Sequence, residues 1–142
     1  MKIKIEHNEE LFAIIIKDSY SKPGISFFTP DHLSQQLAYM KHPAGTTIMP
    51  HVHNPVPRQV NFTQEVLLIK RGVLRVDFYD DKKIYFGSHY LEKGDFILLI
   101  KGGHGFEVIE EVEMIEVKQG PYVGDSDKTP FYSVKEGNMR LV

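Results

Sequence analysis

The chain is broken into a dozen short β-type runs, and that rhythm restricts its fold more than any other feature. The runs fall at residues 2–6, 11–17, 25–28, 36–41, 46–53, 65–71, 73–79, 83–86, 89–91, 95–100, 106–109 and 113–118. Turn-forming groups separate most of them: Lys22-Pro23-Gly24, Pro43-Ala44-Gly45, Arg71-Gly72, Asp80-Asp81, Lys93-Gly94-Asp95 and Lys101-Gly102-Gly103. Leu74, Val76 and Phe78 alternate with Arg75, Asp77 and Tyr79, the pattern of a half-buried strand. One helical turn is predicted at 31–36, where Pro30 precedes a capping Asp31. Many short strands joined by glycine-containing turns predict an all-β sandwich or jelly roll. A length of 142 residues predicts one domain, 1–142.

Charge and composition narrow the function classes. Seventeen basic residues stand against 19 acidic ones, a net charge of -2, and no basic stripe is present. Nucleic acid is therefore not an expected partner. The absence of cysteine removes disulfides and thiolate metal sites, and it fits a cytoplasmic protein. The apolar run at the N-terminus is short and interrupted by charge, so neither a membrane span nor a signal peptide is expected. Two stretches break the strand rhythm. Residues 54–62 contain Asn54-Pro55 and Val56-Pro57 and predict a stiff loop. Residues 119–142 lack periodicity and predict an extended segment over the barrel or a neighbouring subunit.

The chemistry is carried by a spaced set of residues. His51 and His53 lie one residue apart on a predicted strand and so point to one face. Glu65 opens the next run, and His104 follows the Gly102-Gly103 turn. Two or three imidazoles plus a carboxylate suit a first-row transition metal. Arg58, the one charged side chain in the stiff loop, can clamp a carboxylate or phosphate. Glu107, three residues after His104, is the candidate catalytic acid or base. Lys118 shares a strand face with Glu116 and is placed with Arg58 in a substrate pocket.

Residues 45–72, GTTIMPHVHNPVPRQVNFTQEVLLIKRG, resemble the first motif of the cupin superfamily. The matching skeleton is Gly45, five residues, His51-x-His53, then Glu65, six residues and Gly72. The stretch 94–104, GDFILLIKGGH, resembles the second motif. The resemblance implies a double-stranded β-helix, a jelly-roll barrel with its core motifs in 45–118. It further implies one divalent transition metal (Zn, Fe, Mn or Ni) held by His51, His53, Glu65 and His104. The stretches HNPVPR, TQEVLLIK, RVDFYDD, GGHGFE and MIEVKQGPY are also similar to a small single-domain cupin subfamily associated with bacterial surface-polysaccharide genes. The expected function is that of a metal-dependent cupin acting on a small polar metabolite, such as a sugar or sugar-acid isomerase, epimerase or lyase. The alternatives are a non-haem iron oxygenase and a non-enzymatic module that binds or senses a small molecule. Sheet edges left open by a jelly roll predict a homodimer.

Overall fold

The computed structural model describes residues 1–134 and 136–142. Its regular structure is nearly all β. The strands are β1 (Lys2–His7), β2 (Glu10–Ile16), β3 (Gly24–Phe27), β4 (Ala38–Lys41), β5 (Glu65–Tyr79), β6 (Tyr85–Leu91), β7 (Phe96–Leu99) and β8 (Gly103–Lys118). Two short 3-10 turns, Gly124–Asp127 and Glu136–Asn138, follow in the C-terminal segment. The chain forms two compact units. One comprises Met1–Tyr20 and Phe62–Val142, and the other is Ser21–Asn61.

The first unit is built on a six-stranded antiparallel sheet that curls into a half-barrel. Its axis is β5. One edge of β5 pairs with β7 along residues 65–68 and with β6 along 74–79. The other edge pairs with β8 along almost its whole length. Two predicted runs, 65–71 and 73–79, are thus one strand, and 106–109 and 113–118 likewise merge into β8.

The curl originates in the middle of β5. Register shifts occur between Ile69 and Arg71, Arg71 and Val73, and Val73 and Leu74. Leu67 and Ile69 before the shifts and Leu74, Val76 and Phe78 after them all join one core cluster. The step from Ile69 to Leu74 is odd, so an unbroken strand would send these two groups to opposite faces. The bulge absorbs the extra residue and bends the strand. Gly72 makes it possible: its φ is +86°, and a Cβ there would lie 2.0 Å from the Glu111 carbonyl oxygen.

The concave face is closed by Ile5, Phe12, Ala13, Ile15, Phe86, Leu91, Ile97 and Leu99 with the β5 residues. On β2 and β7 the reverse face is buried as well, with Ile14 and Leu98 fully enclosed. This explains the unbroken apolar sequence of β2. Asp95, also buried, ties the turn before β7 to the end of β2. Its carboxylate accepts from the Lys17 ammonium and from the backbone N–H groups of Asp18 (3.0 Å) and Glu92 (2.9 Å).

The half-buried pattern expected for 73–79 is not what forms. Arg75, Asp77 and Tyr79 are buried along with their apolar neighbours. The cause is the C-terminal segment, which lies on this unit's own sheet. Ser88 N–H donates to the Arg140 carbonyl (2.6 Å), Val142 N–H donates to the Ser88 carbonyl (2.9 Å), and Ser88 pairs with Leu141 in a parallel bridge. The Val134 N–H donates to the Tyr79 hydroxyl (2.8 Å).

The second unit pairs β3 with β4 antiparallel, from Gly24↔Lys41 to Phe27↔Ala38. The predicted strand at 46–53 does not form. Pro50 has no N–H to give a ladder and disfavours helix at Met49, while the chain turns at Thr46, whose N–H donates to Pro43 (3.3 Å). Where a helical turn is predicted at 31–36, a single hydrogen-bonded turn forms, Leu33 N–H to the Pro30 carbonyl (3.2 Å), and bends follow it. Gln36 holds them by donating from its amide to the Pro30 (3.0 Å) and Leu33 (2.9 Å) carbonyls.

Replacing Gly72 by alanine is expected to cost about 3 kcal/mol, because the added methyl meets backbone rather than a movable side chain. Gly124→Ala, with a φ of +68° but open space around it, serves as the control and should cost about 1 kcal/mol. Urea unfolding of the two variants measures the difference.

Candidate functional site

The curl brings the start of β5 to the start of β8. Glu65 is the first residue of β5, and His104 is the second of β8, where it pairs with Phe78 near the far end of β5. The His104 imidazole Nε2 lies 3.2 Å from a Glu65 carboxylate oxygen. The turn that delivers His104 requires Gly102, whose φ is +74° and whose Cβ would meet the Phe12 ring and the Tyr79 carbonyl at 2.6 Å.

Polar groups continue outward from this pair. The Lys118 ammonium stands 3.9 Å from the other Glu65 oxygen and 3.4 Å from the Asp127 carboxylate. Asp127 in turn accepts from the Thr63 hydroxyl at 2.8 Å. The Glu65 pKa lies below its ordinary value of 4.5, chiefly because His104 hydrogen-bonds the carboxylate, with burial opposing. The Thr63 hydrogen bond, with Lys118 beside it, lowers the Asp127 carboxyl in the same way. Asp127 does the converse for Lys118 and raises its pKa.

His51 and His53 lie in the other compact unit, in backbone without regular structure. Their rings are 5.1 Å apart and nearly perpendicular, at 76°. The His51 Nδ1 is 3.0 Å from the Met49 carbonyl. A carbonyl can only accept, so Nδ1 is the donor in this contact. The two pairs, His51 with His53 and Glu65 with His104, are each described within their own unit.

The donor chemistry of Glu65 and His104 fits a divalent transition metal. Carboxylate oxygen and imidazole nitrogen are both ligand types for such a metal, and here they face each other across a 3.2 Å hydrogen bond. No cluster of three or more His, Asp or Glu side chains suited to a metal occurs among the described residues.

Glu107 does not join His104. It pairs with Arg75 on β5, whereas His104 pairs with Phe78, so an odd number of residues places the two on opposite faces of β8. Its carboxylate is 2.6 Å from the Arg75 guanidinium. Arg75 also grips Asp77 with two hydrogen bonds, 2.8 and 3.0 Å, and Ser88 donates to the same Asp77 carboxylate at 2.5 Å. This buried ion cluster holds the Arg75 pKa above its usual value, first through Asp77. Sequence reasoning missed it, although Arg75 and Asp77 occupy one strand face at opposite charge. It also missed Thr63 and Asp127, which no spacing signal marks. Lys118 does stand beside Glu65, as one of the two pocket residues expected. Arg58 and Gln59 of the stiff loop line a separate cleft with residues 31–36 of the same unit.

No protein-family model, curated protein or solved structure matches the chain.

The low pKa of Glu65 sets a sign for acid stability. A carboxylate whose pKa falls on folding contributes stability that is present above its unfolded pKa and lost as pH drops through the folded value. In chelator-treated protein, Glu65→Gln should therefore melt below wild type at pH 7. The gap should narrow as pH is lowered below about 4.5. Thermal melts followed by circular dichroism from pH 7 to pH 3 give the two curves.

Proposed function

We propose that the chain is a jelly-roll cupin that binds one divalent transition metal and acts on a small polar metabolite. The observation that carries the proposal is the 3.2 Å contact between the Glu65 carboxylate and the His104 imidazole, made from opposite ends of a curled strand pair. Both residues were singled out by motif spacing, and so were His51 and His53, which complete the proposed ligand set.

Bound there, zinc, iron, manganese or nickel would polarise a carbonyl or hydroxyl of the substrate. The chain's own groups have separable tasks. Glu65 is held ionised by His104, the state in which a carboxylate would bind a metal. Lys118, kept charged by Asp127, attracts an anionic group toward Glu65. A carbonyl-polarising metal beside a fixed cation would suit isomerisation, epimerisation or elimination on a sugar or sugar acid. The similarity of several stretches to polysaccharide-associated cupins supports a carbohydrate substrate. The proposal includes a cytoplasmic homodimer.

Purified wild type should contain one metal ion per chain by elemental analysis. The double variant His51→Ala with His53→Ala, and separately His104→Ala, should each lose most of it. Undiminished metal in variants that still fold would refute the ligand assignment.

A further inference from the structure

The unit Ser21–Asn61 carries a cleft of its own, about 570 Å³ in volume, between the bends at 31–36 and the proline-stiffened loop. We propose that this cleft binds a small hydroxylated anion, a sugar phosphate or sugar acid, with Arg58 as the anion clamp and Asp31 as the hydroxyl acceptor. The inference takes its carbohydrate class from the function proposed above. Its anion preference comes from the cleft alone.

One wall is fixed before any ligand arrives. The Thr29 hydroxyl donates to the Gln36 side-chain oxygen Oε1 (2.8 Å), the Leu37 N–H donates to the Thr29 hydroxyl (3.2 Å), and the Phe28 N–H donates to the Leu37 backbone carbonyl (2.9 Å). The Gln36 amide is spent on the Pro30 and Leu33 carbonyls. Gln36 therefore builds the wall and offers a ligand little. Across from it, Pro55 and Pro57 limit the backbone freedom that the loop must lose on binding.

The groups left to act on a ligand are of two kinds. Arg58 and His32 both line the cleft, and neither forms a hydrogen bond or ion pair among the described residues. A guanidinium presents parallel donors that match a phosphate or carboxylate in two hydrogen bonds, and His32 adds a third donor. Asp31 is the one carboxylate in the lining and has no cation within ion-pair distance among the described residues. An ionised carboxylate only accepts, so its partner must be a donor, which a sugar hydroxyl supplies. Gln59 adds an amide that can both donate and accept. A simple anion would use Arg58 and His32 but leave Asp31 facing it unfavourably. A neutral sugar would leave Arg58 unused. A hydroxylated anion satisfies both ends.

Isothermal titration calorimetry of the full chain with glucose 6-phosphate, gluconate, inorganic phosphate and glucose tests this, with and without prior chelator treatment. Glucose 6-phosphate or gluconate should bind more tightly than either phosphate or glucose, and which of them binds tighter identifies the anionic group. Arg58→Ala should weaken that binding by about tenfold or more, and Arg58→Lys, which keeps charge but loses the fork, by a smaller factor. Asp31→Asn should weaken both sugar anions while leaving inorganic phosphate unchanged or tighter. Binding that survives chelation and falls in Arg58→Ala supports the cleft even if the metal assignment fails. Neither sugar anion binding at about 10 mM, glucose binding as tightly as its phosphate, or an Arg58→Ala affinity equal to wild type would overturn the inference. So would binding that vanishes on chelation yet ignores Arg58.

Discussion

The bend in β5 is the constraint from which the rest of the first unit follows. Glu65 and Phe78 are thirteen positions apart on one strand, a contour of about 43 Å at about 3.3 Å per residue. Yet the carboxylate of Glu65 touches the imidazole of His104, the strand partner of Phe78. Only a tightly curled strand pair can bring them together. The bulge at Gly72 provides the turn in direction and the change of face in a single device. With it, one apolar set serves a continuous core from Leu67 to Phe78. Without it, half of that set would face outward.

The same bend sorts the charges. The concave side receives Glu65, His104 and Lys118, whose partners leave them part-exposed and chemically available. The convex side receives Arg75, Asp77 and Glu107, where Arg75 and Asp77 are almost fully removed from water. Burial of such a pair is tolerated because nearly every polar atom is used: Arg75 bonds two carboxylates, and Ser88 and the Tyr85 hydroxyl extend the network toward the C-terminal segment. Glu107 thus serves as a lid on a buried arginine and has no access to the concave face. The C-terminal residues are part of this arrangement, because they cover the edge of β6 that the network lies beside.

Much of the strand order could be read directly from residues. Turn groups such as Lys101-Gly102-Gly103 and the apolar run of β2 mark elements that form at those places. Glu65 and His104 stand out in the sequence as members of one motif, while their contact depends on β8 folding back along a curled β5, which the motif does not encode. Other features were hidden for physical reasons. The change of face at Gly72 depends on a bulge, which shifts register without changing composition. The expected strand at 46–53 has a suitable apolar content, but Pro50 removes the donor that a ladder needs there. The burial of Arg75 and Asp77 follows from a segment that reaches β6 through backbone groups of Arg140 and Val142 and through the Arg140 guanidinium on the Phe86 carbonyl, contacts that follow no sequence period. The side of β8 that Glu107 occupies was readable, because an offset of three along a strand always changes face.

The most direct test of this account is a double-mutant cycle across the curl, with Glu65→Gln, His104→Gln and the combined variant unfolded in urea at pH 7 after metal removal. A direct contact between the two side chains predicts a coupling of about 1 kcal/mol, the double variant losing less than the sum of the single losses. Additive losses, with the two single variants each folded, would mean that the ends of β5 do not meet and would contradict the account.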